Sequence, residues 1–185
     1  RLKDIIENAK EEGRKVIVFS FFRDTIAKIY DFLNGICLPP INGSISPQRR
    51  QEILDQFNDS KPGSVLISQI QAGGTGLNIQ CASVVVIAEA QLKPSIENQA
   101  IARAYRMGQT SNVLVYKLLC ENTIEEKMLE RLKQKQEIFD AFADKSSAAD
   151  AQNQNEISDK TFHEIVEEEI DRINKEKGIV QEESD

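Results

Sequence analysis

The chain has 185 residues, of which 40% are hydrophobic and 29% are charged, so it is long enough for one domain with a hydrophobic core and some additional segments. It contains no apolar stretch of membrane-spanning length and no secretory signal pattern, which argues against a membrane-embedded or secreted protein. The formal net charge of −7 argues against binding of nucleic acid through bulk charge.

The negative charge is confined to the end of the chain. Residues 1–140 contain 18 Lys and Arg against 17 Asp and Glu, whereas residues 141–185 contain 5 against 13. Any nucleic-acid contact must therefore come from a local patch in the first part of the chain. Because the first residue is Arg, we expect the chain to be a piece of a longer protein.

Three cysteines, Cys37, Cys81 and Cys120, are far apart in sequence, stand beside apolar residues and form no C-x-x-C pair. This pattern favours buried, reduced thiols of an intracellular protein over a disulfide or a metal site. The absence of a basic localisation run favours a cytoplasmic location, at the bacterial nucleoid, over a nuclear one.

In the first half of the chain, predicted helices alternate with predicted strands. Glycines end the first two helices, and a Ser-Pro pair begins the third. The predicted elements are a helix from Leu2 to Gly13, a strand from Val16 to Phe19, a helix capped by Asp24 and ended by Asn34-Gly35, a short strand from Cys37 to Ile41 that Pro39-Pro40 weakens, and a helix from Ser46 to Phe57.

The alternation continues in the second half. The predicted elements are a strand from Ser64 to Ser68, a strand from Ser83 to Ala88, a helix from Ser95 to Met107 after Pro94, a strand from Val113 to Leu119, a long helix from Thr123 to Phe142, and a helix from Ser158 or Thr161 to Lys177. This order predicts an α/β fold with a parallel sheet covered by helices on both faces. Ligands of such sheets bind at the carboxyl ends of the strands, where the loops after Phe19, Ile41, Ser68 and Ala88 should open.

A glycine-rich loop, Gln71-Ala72-Gly73-Gly74-Thr75-Gly76-Leu77-Asn78, follows one of the buried strands. Its glycines permit positive φ angles and let backbone N–H groups approach an anion, such as the phosphate of a nucleotide or a nucleic acid. The spacing fits neither G-x-G-x-x-G nor G-x-x-x-x-G-K-[ST]. A plain tight turn is an equally good interpretation of the glycines alone.

Two arginines lie at the end of the helix predicted from Ser95 to Met107. Arg103 and Arg106 stand at i and i+3 on one face, and Gln99 lies one turn before Arg103. Two guanidinium groups beside a glycine loop suit a transferring phosphoryl group. Taken alone, an R-x-x-R pair is more often a solvated basic face.

The loop and the helix together resemble motifs V and VI of the Swi/Snf-related superfamily-two helicase-like ATPases. The segment Lys15-Val16-Ile17-Val18-Phe19-Ser20 resembles motif IV, and Gly43-Ser44-Ile45-Ser46 followed by Arg50-Gln51 resembles the G-S-x-S-x-x-x-R-Q segment of the family. The resemblance covers residues 1 to 140. It implies the second of two RecA-like lobes, a three-layer fold here followed by a C-terminal helical extension.

The resemblance also implies a role for each motif residue. Arg106 is the expected arginine finger toward the γ-phosphate of ATP, and Arg103 is the second guanidinium. Gly74 and Gly76 would let the backbone approach the nucleotide, and Gln99 would orient the arginines. The expected contacts to the phosphate backbone of DNA are Ser20, Arg23, Gly43, Ser44, Arg49 and Asn78, although for Arg49 a solvated helix face is an equally good interpretation.

The sequence has no G-K-[ST] phosphate loop, no D-E-A-H-type carboxylate pair and no metal-ligand cluster. The family carries the first two on its first lobe, so ATP and Mg²⁺ are expected to bind mainly there, and the fragment is not expected to hydrolyse ATP alone. The expected partners are that lobe, double-stranded DNA and protein cargo on the DNA. Alternatives are a catalytically inert DNA- or protein-binding module and, less well supported, a Rossmann-type enzyme.

The sequence departs from the family pattern at two places. Leu92 and Lys93 replace the usual aromatic residue and Asn before the helix-opening Pro. Gln69 stands where a hydroxyl residue often precedes the glycine loop by three positions. These differences affect the expected DNA contact of motif V and not the arginines.

The predicted division is a lobe over residues 1–142, a linker over 143–157 and an acidic helical tail over 158–185. The tail helix has an apolar face and an acidic one. The apolar face either docks on the lobe or on a missing domain, and the acidic face could instead compete with DNA for the lobe.

Overall fold

A computed structural model describes residues 1–71, 79–91, 93–105, 112–121, 123–143 and 159–176. These residues form two compact units, the first made of Arg1–Gln91 and Ser95–Leu118, and the second of Leu92–Pro94 and Leu119–Asp185. The elements are α1 (Leu2–Glu11), β1 (Val16–Ser20), α2 (Arg23–Phe32), α3 (Pro47–Asp59), β2 (Val65–Gln69), β3 (Val84–Ile87), α4 (Pro94–Ala104), β4 (Leu114–Lys117), α5 (Ile124–Ala143) and α6 (Asp159–Glu176).

The four strands form one parallel sheet in the order β2-β1-β3-β4. Val16 in β1 pairs with Val65 in β2 on one side and with Val84 in β3 on the other. Each crossover between parallel neighbours therefore passes through helices, which confirms the predicted α/β class. Each of the four predicted strands that the sheet contains begins and ends within two residues of its expected limits.

Residues of the central strands alternate between two hydrophobic clusters on opposite faces of the sheet. Val16 and Val18 belong to a cluster with Ile6 of α1 and Ile26 of α2. Their neighbours in sequence, including Phe19, belong to the cluster that α3 and α4 cover. A β-strand points successive side chains in opposite directions, and helices cover both faces of the sheet, so both sets of side chains are buried. The expected three-layer RecA-like arrangement is thus confirmed.

The α3–α4 cluster joins Phe57 and Ile53 of α3 to Ala100 and Ala104 of α4, and all four residues are fully buried. Lys15 fixes the end of α3, since its ammonium group donates to the carbonyls of Phe57 (3.0 Å) and Asn58 (2.6 Å). A positive charge at the C-terminal end of a helix also interacts favourably with the helix dipole.

The predicted signals hold at the start of α3 and after α1 and α2, and fail at the start of α2. Ser46 caps α3, where its Oγ accepts from the N–H of Arg49 at 3.3 Å, and Pro47 is the first helical residue. Gly13 and Gly35 follow α1 and α2 with φ angles of 71° and 89°. The predicted cap of α2 is wrong, because Phe22 occupies the N-cap position and Asp24 lies inside the first turn. A carboxylate is still favourable there, next to the positive end of the helix dipole.

The predicted strand from Cys37 to Ile41 is also wrong. Only Cys37 and Ile41 pair with β2, opposite Val65 and Ser68. The intervening Pro39 and Pro40 have no N–H to donate, so a continuous hydrogen-bond ladder cannot form. The segment runs along the edge of β2 and adds two bridges to the sheet without adding a regular strand.

In the second unit, α6 packs on α5. Met128 of α5 and Ile165 of α6 are buried together, with Ile124 and Leu132 at the margin of this small cluster. Lys127 pairs with Glu169 at 3.1 Å and Arg131 with Glu168 at 3.2 Å. Ile165 of the apolar face thus docks on α5, whereas Ile170 is exposed. Two acidic residues of α6 take part in the contact.

Several predictions made for the second unit lie at or beyond the edge of the described residues. α6 begins at Asp159, so Thr161 lies inside its first turn. Ser158 and the predicted linker lie outside the described residues, and the division at 142 and 157 stays a prediction. Among the residues that the structure describes, no helix has the length and apolar character needed to cross a membrane.

The three cysteines differ in their exposure. Cys37, Cys81 and Cys120 are all free thiols. Cys37 and Cys81 are half-buried, whereas Cys120 is exposed, so the expectation of a buried thiol is wrong for Cys120. Cys120 lies in the connection between β4 and α5.

Candidate functional site

The carboxyl ends of β1, β2 and β3 meet at one edge of the sheet. Ser20 stands opposite Gln69, and Phe19 stands opposite Ile87. The loops after these strands therefore open on the same side. The loop that follows Ile41 opens there as well, because the N–H of Ile41 donates to the carbonyl of Ile67 in β2 at 2.9 Å. This edge is the expected ligand-binding edge of a parallel sheet.

The loop after β1 is held by buried polar groups. Ser20 is fully buried, and its Oγ donates to the carbonyl of Phe22 at 3.2 Å. The N–H of Phe21 donates to the carboxylate of Glu89, which follows β3. The N–H of Ile70 donates to the carbonyl of Ser20 at 2.8 Å. The hydroxyl of Ser20 thus has a local role in shaping the loop, and its predicted contact to DNA stays untested.

Gln69 connects the loop after β1 with the loop after Ile41. Its Oε1 accepts from the N–H of Gly43 at 3.3 Å, and its Nε2 donates to the carbonyl of Phe21 at 3.2 Å. Beside Gly43, Asn42 Oδ1 accepts from both the N–H (3.0 Å) and the Oγ (2.6 Å) of Ser44. Gly43 and Ser44 are both exposed, as the prediction of phosphate contacts requires.

The three basic residues near this edge differ in their surroundings. Arg23, the first residue of α2, is exposed and lines a cavity of about 480 Å³ with Tyr30 and Asn42. Arg49 is exposed and forms an ion pair with Glu52 at 2.7 Å. Arg50 is half-buried, and its Nε has no hydrogen-bond partner among the described residues. Exposed ion pairs contribute little, so Arg49 can exchange Glu52 for an anion at small cost.

Arg103 of α4 is bonded to both ends of the glycine loop. Its Nη1 donates to the carbonyl of Ile70 at 3.2 Å, just before the loop. Its own carbonyl accepts from the N–H of Ile79 at 3.4 Å, just after the loop. The motif V segment and the motif VI helix therefore meet at this one residue, with Gln99 exposed one turn earlier.

Four predicted site residues, Arg106, Gly74, Gly76 and Asn78, lie outside the described residues. α4 ends at Ala104, three residues before the predicted end. The relation of Arg103 to Arg106 on one helix face therefore stays a prediction.

Glu97 is a site-shaping residue that the sequence analysis missed. Its side chain is only 3% exposed; its Oε1 accepts from the N–H of Gln91 at 3.0 Å, and its Oε2 forms an ion pair with Lys117 of β4. It thereby ties the start of α4 to the loop after β3 and to the last strand. A signal was available, since Glu97 is the only acidic residue between positions 90 and 120.

One described residue, Arg103, suits the phosphate of a nucleotide. The guanidinium of Arg103 has five N–H donors, so it can serve a phosphate in addition to the carbonyl of Ile70. Among the described residues, no group of three His, Cys, Asp or Glu side chains could hold a metal ion. When bound, ATP would supply the phosphoryl group to be transferred, and Mg²⁺ would need ligands from elsewhere.

Comparison with known proteins gives the family. The family model described as the helicase conserved C-terminal domain matches residues 1–108. The chain belongs to this family. The chain is 38% identical over 137 residues to an uncharacterized ATP-dependent helicase of Mycoplasma pneumoniae. The match covers 73% of this chain and 13% of that protein. The chain is 32% identical over its whole length to the ATP-dependent helicase fft2 of Schizosaccharomyces pombe, covering 14% of it.

Two solved structures support the same assignment. The C-terminal part of the Fun30 ATPase domain matches with a TM-score of 0.69 and 27% identity, over 92% of this chain and 53% of that one. The Sulfolobus solfataricus SWI2/SNF2 ATPase core domain matches with a TM-score of 0.63 and 31% identity, over 89% and 33%. The helicase C-terminal domain is therefore a RecA-like lobe of the Swi/Snf-related type. It spans less than a sixth of each of the two curated relatives described above.

Proposed function

We propose that this domain is the second lobe of a DNA-dependent ATPase motor that translocates on double-stranded DNA and remodels protein–DNA complexes. The observation that carries the proposal is the position of Arg103, which is bonded to both ends of the glycine loop. The guanidinium makes the bond to Ile70, and the backbone carbonyl of Arg103 accepts the bond from Ile79. An arginine next to a glycine-rich segment suits the charge that develops during phosphoryl transfer.

In the proposed motor, the two lobes divide the work. The first lobe of the same parent chain binds ATP and Mg²⁺, because this chain has no G-K-[ST] phosphate loop. This lobe contributes Arg106 as the arginine finger and Arg103 as the second guanidinium, with Gly74, Gly76 and Gln99 supporting the nucleotide side. The domain alone is then inactive as an ATP hydrolase.

The carboxyl-edge loops supply the proposed DNA contacts. Gly43, Ser44, Arg23 and Arg49 are exposed around this edge, and backbone N–H groups, hydroxyls and guanidinium groups are common donors to DNA phosphates. Such contacts position a duplex without reading its sequence. The names of relatives such as a chromatin-remodelling ATPase of Saccharomyces cerevisiae support DNA-bound protein as the cargo.

The proposal predicts that Arg106→Ala abolishes DNA-stimulated ATP hydrolysis of the complete enzyme. Loss of an arginine finger lowers the rate by about 10³–10⁵-fold in other phosphoryl-transfer systems. The measurement is the ATPase rate with and without duplex DNA, after circular dichroism has shown that the variant folds like the wild type.

Arg131→Ala is the matched control, because Arg131 is an exposed arginine on α5 in the second unit. It should keep the wild-type rate. Turnover that survives in Arg106→Ala would contradict the motor and would favour an inert DNA- or protein-binding module.

A further inference from the structure

Gln69 is the last residue of β2 and lies where three loops of the carboxyl edge meet. Its backbone N–H donates to the carbonyl of Ile41 at 2.7 Å. Its side-chain amide bonds Gly43 and Phe21. One residue thus holds the loop after β1 and the loop after Ile41 in a fixed relation to the start of the glycine loop.

The chemistry of the amide explains why glutamine suits this position. The N–H of Gly43 needs an acceptor and the carbonyl of Phe21 needs a donor, and one carboxamide supplies both. A serine or threonine hydroxyl at this position, as in the family pattern, is two carbons closer to the strand. It could not replace both bonds in the same geometry.

The next residue along the chain leads to the nucleotide side of the site. The carbonyl of Ile70 accepts from Arg103 at 3.2 Å, and its N–H donates to Ser20 at 2.8 Å. A continuous series of bonds therefore runs from Arg103 through Ile70 and Gln69 to Gly43 and Phe21. At one end of this series stands Arg103, which is proposed for the nucleotide, and at the other stands Gly43, which is proposed for the DNA.

We propose that Gln69 is a positioning residue that couples the DNA-facing loops at Phe21 and Gly43 to the Arg103 end of the glycine loop. The inference rests on the proposed function and adds a specific coupling element to it. Gln69 itself does not need to touch either ligand. Its role is to keep Gly43 and its neighbours in the position that the start of the glycine loop dictates.

The test uses Gln69→Met in the complete enzyme, because methionine keeps the length of the side chain and removes both hydrogen bonds. Gln56→Met is the control, since Gln56 is an exposed glutamine on α3. Two quantities are measured, namely the hydrogen-exchange rate of the Gly43 amide and the DNA concentration that gives half-maximal ATPase stimulation. A urea titration checks that both variants keep the wild-type stability.

In Gln69→Met, we expect the Gly43 amide to exchange roughly two- to tenfold faster, as for the loss of one hydrogen bond. The half-stimulating DNA concentration should rise several-fold, while the KM for ATP measured without DNA stays at the wild-type value. Gln56→Met should change none of these quantities. Gln69→Ala should give the same pattern as Gln69→Met if the lost bonds, and not the shape of methionine, cause the effect.

Faster exchange with an unchanged DNA response would show that the bonds are only structural and would overturn the inference. Unchanged exchange at Gly43 would overturn it as well. The proposed function fails separately, through a wild-type enzyme that DNA does not stimulate or an Arg106→Ala variant that keeps its turnover. A normally stimulated wild type with a normal Gln69→Met response refutes the coupling alone.

Discussion

Individual polar side chains decide the shape of the carboxyl edge. Ser20, Glu89 and Glu97 are each less than a tenth exposed, and each binds a backbone N–H of a neighbouring loop or turn. A buried N–H that lost such a partner would carry a penalty of about 1–3 kcal/mol. The loops are therefore held by specific acceptors in addition to hydrophobic packing.

At the same scale, we predict that Cys120 is the fast-reacting thiol. Cys120 is exposed, whereas Cys37 is half-buried and burial raises its pKa to about 11. Burial also raises the pKa of Cys81. Only the thiolate reacts, and a thiol with a pKa near 11 is about one-thousandth ionised at pH 8. Limited alkylation with iodoacetamide at pH 8, followed by peptide mass spectrometry, should find the label on Cys120 first.

Cys120→Ser is the control for this experiment and should leave only slow labelling. Equal initial rates at Cys37 and Cys120 would contradict the predicted protection by burial.

At the scale of elements, the contact between α5 and α6 depends on a shared carboxylate. Hydrogen bonds from Arg172 and then from Lys127 lower the pKa of Glu169 from its ordinary 4.5 to about 2. Arg172 lies on the same helix as Glu169, so of the two bonds to Glu169 the one from Lys127 joins α5 to α6, beside the pair of Arg131 and Glu168. Because the pKa is lowered, this contribution to stability is complete above pH 4.5 and is lost as the pH falls toward 2.

We therefore predict that Lys127→Ala raises the pKa of Glu169 only part of the way toward 4.5. The remaining shift should persist because Arg172 still donates within α6. Carboxyl-detected NMR titration of Glu169 measures this pKa directly. Lys133→Ala, an exposed lysine on α5, should leave it unchanged, and a full return to 4.5 in Lys127→Ala would show that the bond within α6 contributes nothing.

At the scale of the whole molecule, aromatic residues contribute to stability according to whether they lie in a core cluster or at the surface. Phe57 is fully buried in the α3–α4 cluster, whereas Phe32 at the end of α2 is 56% exposed and lies under the ammonium of Lys3 at 4.4 Å. Phe57→Ala should lower the free energy of unfolding by about 3–5 kcal/mol, because it leaves a cavity. Phe32→Ala should lower it by about 1 kcal/mol or less.

Urea unfolding of both variants, followed by circular dichroism, measures the two differences. Equal losses would mean that the α3–α4 cluster collapses around the smaller residue or that Phe32 is buried by another part of the protein.

Most of the fold could be predicted from the sequence, because its signals are local. Strands buried on both faces consist of continuous β-branched runs such as Val84–Ile87, and Ser46-Pro47 marks a helix start by itself. The site was less predictable. The partners of Gln69 lie 26 and 48 residues away in sequence, and Glu89 binds an N–H that is 68 residues away. Only the folded chain brings such groups together, so the roles of the motif residues came from the family resemblance.

In the parallel sheet, β1 pairs with two strands that are synthesised after it. Val16 is made early, but its partners Val65 and Val84 arrive much later in the chain. At a synthesis rate of roughly 5–20 residues per second, the apolar segment Val16–Ser20 waits for several seconds before both of its neighbours exist. Until Val65–Gln69 is made the segment has no strand to pair with, and until Val84–Ile87 is made one of its edges stays unpaired. We therefore predict that ribosome-bound chains that stop before Val84 bind a chaperone that recognises extended apolar segments.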